Sequence, residues 1–252
     1  MENSFVLRTR ARIGAHVIWD HLVRPMAVAA DDVPWGVEAF SSEWLSAVIG
    51  RGVPDAKVVS FALGGGHEGS SVRRQLKVQW TAEGQAAGLP VRLFTKATPT
   101  LLTRLSSGMA AIGERRFYER IRPELDIEAP RLFHSGYDRA SGRSIHIFDD
   151  LAVTKGAQFC SYETTLDRTQ AEEVVDTLAA FHGRFRNSGR FENDLKWLTT
   201  YEAFLHTGER NGIRLGHDRA MLEAAAVSYT HLRAHETDQY LVCRLLLEKN
   251  FF

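Results

Sequence analysis

Strand patterning in this 252-residue chain ends at Asp150, and every patterned segment beyond that point has helical spacing. Strands followed by helices, rather than strands alternating with them, predict an α+β arrangement with two segregated lobes. Before the switch, Lys57 to Leu63 is a β-rich run, broken by Gly64-Gly65-Gly66. Val72, Leu76, Val78 and Trp80 then share one side of an alternating strand. Gln85 to Pro90 reads as a loop. Val91 to Ala97 is the next strand, with Arg92, Phe94 and Lys96 on one face and Val91, Leu93 and Thr95 on the other. A helix over Gly108 to Ile121 stops before Pro123, because the residue ahead of a proline disfavours helical backbone. Arg131 to Tyr137 and Ser144 to Phe148 form a hairpin across the turn-rich Asp138 to Gly142.

After Asp150 the signals change. Asp167 with Gln170 has the form of a capping box. It opens a helix whose apolar face is Ala171, Val174, Val175, Leu178, His182 and Phe185. Further helices are predicted around Trp197 to His206 and His217 to Ala226. At the other end, Ser42 to Ile49 is a short helix with Ser41 or Ser42 as N-cap and Gly50 beyond its end. Asp31 to Gly36 reads as a linker. Ahead of it, Ile13, Val17, Ile18 and Leu22 recur at helical spacing and predict a short amphipathic helix packed on the domain. That stretch is too short and too polar for a membrane span, and no signal-peptide cleavage pattern follows it.

Composition narrows the function classes. Acidic and basic side chains balance at 31 each, so no global charge points to nucleic acid. The two cysteines, Cys160 and Cys243, are too few for a disulfide framework and have no metal-site spacing. A reducing cytoplasm is the expected compartment.

Four features carry chemistry, and together they suit the holding of a nucleotide for phosphoryl transfer, which needs phosphates covered and their charge neutralised. The turn Gly64-Gly65-Gly66-His67-Glu68-Gly69-Ser70-Ser71 lets backbone N–H groups approach phosphates, and Ser70 or Ser71 adds hydroxyl donors. It is not a Walker A loop, since no Gly-Lys-Ser/Thr follows. Lys96, late in its strand, can reach the α and β phosphates. Glu114 shares a helical face with Phe117 and Tyr118, and a half-buried carboxylate there wants a cation. Lys96 is the natural partner, with Arg122 or solvent as the alternative. The segment Phe148-Asp149-Asp150-Leu151 falls where strands give way to helices, the place that in a two-lobed kinase would be the hinge. Taken singly, each has a plainer reading: a hairpin turn, an edge lysine in water, a surface ion pair, an N-capping Asp.

In this order, ALGGGHEGSS, VRLFTK, GERRFYERIRPEL, APRLFHSG, HIFDDLA and VVDTLAAFHGRF make residues 57–190 resemble the aminoglycoside phosphotransferase and ecdysteroid-kinase-like superfamily. The resemblance implies a protein-kinase-like two-lobed fold, with an antiparallel sheet plus one helix in the N-lobe and a helical C-lobe. It implies ATP and Mg2+ as cofactors and a small-molecule hydroxyl as acceptor. It places Gly64, Gly65, Gly66, Ser70, Ser71 and Lys96 on the phosphates, Glu114 on Lys96, and Phe148, Asp149, Asp150 and Leu151 at the adenine hinge.

The family's His-Gly-Asp segment, which supplies the catalytic base, does not occur in this sequence. His182-Gly183-Arg184 with Asn187 has the wrong third residue, and His182 lies on an apolar helix face. Val227 to Thr237 (VSYTHLRAHET) and Leu241 to Lys249 (LVCRLLLEK) resemble, in the correct order, two blocks of a translated transposase-type sequencing adapter. On that reading the natural frame departs after Ala226, the C-lobe is incomplete, and the catalytic Asp and Asn belong beyond it. The expected organisation is an N-terminal helix and linker (1–40), a nucleotide-binding lobe (41–150), the first part of a helical lobe (151–226) and an artefactual tail (227–252). Helical faces such as Ala171 to Phe185 would then lack packing partners. The alternatives are a nucleotide-binding protein without catalysis and an interaction module without a nucleotide site.

Overall fold

Five antiparallel strands and six α-helices make up the computed structural model, which describes residues 2–160, 164–198 and 200. The chain divides into two compact units, residues 1–165 and 166–252. The first contains the whole sheet. Its strands are β1 (Val58–Glu68), β2 (Val72–Trp80), β3 (Arg92–Ala97), β4 (Leu132–Tyr137) and β5 (Ser144–Asp149). They lie in the order β1-β2-β3-β5-β4, so β4 is an edge strand. Its helices are α1 (Glu2–Val23), α2 (Ser42–Ile49), α3 (Ala82–Ala86), α4 (Leu101–Arg116) and the short α5 (Leu151–Thr154).

Alternation along the strands decides the two faces of the sheet. Leu76, Val78, Trp80, Leu93, Ala97, Ile145 and Ile147 point to one side and are buried in a single core. Helix α2 supplies the other half of that core with Trp44, Leu45, Val48 and Ile49. The Ser41 hydroxyl caps α2 by accepting from the Trp44 N–H, and Gly50 ends the helix. Residues on both sides of the segment read as a linker, Asp31 to Gly36, belong to the core, and Trp35 within it is buried. Ala27, Val37 and Phe40 are buried with α2, Phe40 stacks on Trp44 at 5.0 Å, and the Trp44 indole donates to the Asp32 carbonyl at 3.1 Å. No periodicity marks these residues, because irregular backbone wraps the sheet there.

Helix α1 also departs from expectation. It is longer than predicted, and Ile18 and Leu22 point to solvent while Ile13 and Asp20 are buried. Asp20 is 1% exposed and meets two guanidiniums. Arg104 of α4, fully buried, donates to it at 2.6 Å and also to the carbonyls of Thr98 and Ser141. Arg143, at the foot of β5, donates to both Asp20 oxygens. The helix thus docks on an ion triad rather than on an apolar stripe.

Helix α4 starts at Leu101, earlier than predicted, because Thr100 and Thr103 cap each other reciprocally. It passes into a π-helical turn at Phe117–Ile121 and a short 3-10 turn, Arg122–Glu124, that contains Pro123. In the second unit, the Asp167–Gln170 capping box opens α6 (Arg168–Phe185) as predicted. Val174 and Val175 on its apolar face are exposed, and Phe185 is buried with the Arg190 guanidinium over its ring. The helix over Trp197 to His206, the helix over His217 to Ala226 and the tail from Val227 lie outside the described residues, apart from Trp197, Leu198 and Thr200.

Candidate functional site

The second sheet face is polar and lies under α4. Register fixes its membership: Lys96 pairs with Arg73 of β2 on one side and with His146 of β5 on the other. Since Leu93, Thr95 and Ala97 are buried on the core face, Lys96 is delivered to the opposite one. Glu114, near the C-terminal end of α4, meets it there. The Lys96 Nζ donates to Glu114 Oε2 at 2.5 Å, and both side chains keep about a quarter of their surface exposed, 28% and 23%. The partner that helical spacing suggested for Glu114 is the one it has; Arg122 instead donates to the Leu125 and Ala129 carbonyls.

His146 completes the cluster and was given no role by sequence reasoning. It is 1% exposed, its Nδ1 bonds the Ser135 hydroxyl at 2.9 Å, and its Nε2 lies 4.0 Å from Glu114 Oε2. Burial lowers its pKa to about 4, with Glu114 opposing the shift and Lys96 adding to it. The ring is therefore neutral at pH 7, and Lys96 has Glu114 as its nearby carboxylate. The strand signal was available: in Ser144–Asp149, alternation sets His146 and Phe148 opposite Ile145 and Ile147.

The glycine run is not the turn. Strand β1 continues through Gly64-Gly65-Gly66 to Glu68, with an irregularity in register between Leu63 and Gly66. The reversal comes at Gly69-Ser70-Ser71, closed by the Gly69 N–H donating to the Ser71 carbonyl at 3.1 Å. Glycine is required at Gly66, where a Cβ would fall 1.9 Å from the Arg73 carbonyl oxygen. The tip is tied down, since the Ser107 hydroxyl of α4 donates to the Ser70 carbonyl at 2.7 Å. Ser71 is buried and its hydroxyl has no partner among the described residues.

Ser70, Ser71, Lys96, Ser107, Glu114 and His146 all line one small cavity of about 60 Å³. That is room for a water or two rather than a triphosphate, so a nucleotide there requires the Ser70 tip to lift from Ser107. What the cavity offers is an orphaned hydroxyl and a lysine with N–H groups to spare, a donor set that suits phosphate oxygens. Gly64, Gly65 and Gly66 do not line it, nor do Phe148, Asp149, Asp150 and Leu151. In that last segment Phe148 packs against Tyr118 at 4.8 Å, Asp149 accepts from the Arg131 N–H at 2.6 Å, and Asp150 caps α5. Both carboxylates are committed to backbone amides. Among the described residues, no three His, Cys, Asp or Glu side chains gather so as to hold a metal ion, and no helix is long and apolar enough to cross a membrane. No protein family, curated protein or solved structure matches this chain.

Proposed function

We propose that this chain is the nucleotide-gripping part of an ATP-dependent phosphotransferase with a protein-kinase-like two-lobed fold, acting on a hydroxyl of a small molecule. One observation carries the reading: the 2.5 Å pair between a strand lysine and a helix glutamate, set beneath a glycine- and serine-rich hairpin tip. When bound, ATP with Mg2+ supplies the phosphoryl group and its leaving nucleotide. Lys96 neutralises phosphate charge, and Glu114 holds the ammonium in position from α4. Ser71 and the backbone of the Gly69–Ser71 turn donate to phosphate oxygens once the tip lifts. The backbone of Phe148 to Leu151 borders the adenine.

The His-Gly-Asp segment that the resemblance implies for the catalytic base does not occur in this sequence. The chain as it stands therefore binds nucleotide without transferring phosphate. The test is titration of the full chain with a fluorescent ATP analogue. Lys96→Ala should weaken binding at least about tenfold, the size expected for losing charge-assisted hydrogen bonds to phosphate. Equal affinity in the variant overturns the lysine's role. Phosphoryl transfer by this chain alone overturns the assignment of the missing groups.

A further inference from the structure

A second cavity of the first unit lies away from Lys96. It is a cleft of about 840 Å³ along β4, roofed by the end of α4 and its π-helical turn and flanked by residues 30–33. Four arginines line it: Arg51, Arg115, Arg122 and Arg131. Three carboxylates share the lining: Asp31, Asp32 and Glu119. Two of these are engaged within the protein. Glu119 accepts from Arg115 at 2.8 Å, and Asp32 accepts from the Val28 and Ala29 amides. Among the described residues neither Arg51 nor Arg131 has a carboxylate partner; the Arg131 guanidinium rests over the Phe133 ring at 4.9 Å.

Two buried nitrogens of residues that line the same cleft have no hydrogen-bond partner among the described residues, Arg122 Nε and His134 Nε2. Unpartnered buried polar atoms are uncommon and are costly unless something satisfies them. The surrounding charge is felt by His134, whose pKa falls to about 4 through burial first and then through Arg51 and Arg115. An added peptide strand is a poor occupant, although β4 is an edge. A Cβ at Gly136 would already lie 3.2 Å from Val33, so residues 30–33 close over the end of the strand. What remains is an open cleft of a size that suits a small ligand.

We propose that this cleft binds a small anionic molecule, bearing carboxylate or phosphate oxygens, through the guanidiniums of Arg51 and Arg131. The site is independent of the nucleotide reading, since Lys96, Ser70 and Ser71 do not line it. The test is titration of the isotopically labelled full chain with inorganic phosphate and, separately, with succinate. Amide shifts should saturate and centre on Tyr118, Ser135 and Gly136. The double variant Arg51→Gln/Arg131→Gln should bind at least about tenfold more weakly, and Arg92→Gln, on an exposed residue outside the cleft, should bind as the parent does. Saturation by one probe alone identifies the oxyanion class. No saturation by either probe, or shifts centred on Lys96 and Ser71, overturns the proposal. So does unchanged affinity in the double variant. Should that variant fail to fold, the shift map of the parent chain decides.

Discussion

Replacing Asp20 by Asn keeps the side chain's volume and one acceptor oxygen but removes its charge. In the parent, that carboxylate takes three hydrogen bonds from two guanidiniums. Arg104 is fully buried, so after the substitution its charge loses its ion-pair partner and keeps neutral acceptors such as the carbonyls of Thr98 and Ser141. Breaking a buried ion pair by removing one partner costs about 3–5 kcal/mol. Arg143 is 20% exposed and can turn part of its charge to water, which puts the expected loss at the lower end, about 3 kcal/mol. Against a typical total of about 5–15 kcal/mol this is a large fraction. Urea unfolding followed by tryptophan fluorescence and far-ultraviolet dichroism reads it directly. The Asp20→Leu/Arg104→Met pair tests the cause, because it removes the buried charge together with its partner. Its cost should be less than the sum of the two single variants. A loss below about 1 kcal/mol for Asp20→Asn, or a double variant worse than the sum, would refute the claim that the triad docks α1.

Other expectations concern the site and the sheet. His146 titrates near 4 when folded and near its ordinary 6.5 when unfolded, so its contribution is intact above pH 6.5 and is lost as pH falls toward 4. At pH 5 that loss amounts to about 2 kcal/mol; His146→Gln should flatten the acid side of the stability profile, and an unchanged profile would count against the buried neutral ring. Gly66→Ala forces β1 away from Arg73 and should lower the melting temperature by several degrees, about 1–3 kcal/mol as for other overpacked sites; a neutral result would mean the strands part there without cost. Ser107→Ala frees the Ser70 tip and should raise nucleotide affinity in the fluorescent titration by a few-fold, about the worth of one neutral hydrogen bond. Weaker binding would show that the tether positions the tip rather than restraining it.

Local pattern carried the parts of the fold that local physics controls. Strand alternation put Lys96 opposite Leu93, and helical spacing put Glu114 on a face needing a cation; both statements survive in the 2.5 Å contact. Caps with ordinary chemistry, Ser41 and the Asp167–Gln170 box, were equally legible. The failures have a common origin in tertiary context. Asp20 interrupts an apolar run, and nothing in one sequence says that two arginines 84 and 123 residues downstream will meet it. Gly64-Gly65-Gly66 reads as a turn by propensity, yet the same absence of side chains lets two strands come close at an irregular register. The Thr100–Thr103 box lacks the acidic or amide partner usual at its third position, which hid the start of α4.

The wrapping segment before α2 sets where an autonomous folding unit can begin. A piece starting at Ser41 would retain every strand and all of α2, and by motif content it would look complete. It would nonetheless strip Ala27, Val37 and Phe40 from the core, take the carbonyl acceptors from the Ser41 hydroxyl and the Trp44 indole, and leave Trp44 without its stacking partner. The sheet's N-terminal boundary is thus ahead of Ala27, well before the first recognisable strand. A domain trimmed to its motifs would lose the backing that keeps Lys96 facing the other way.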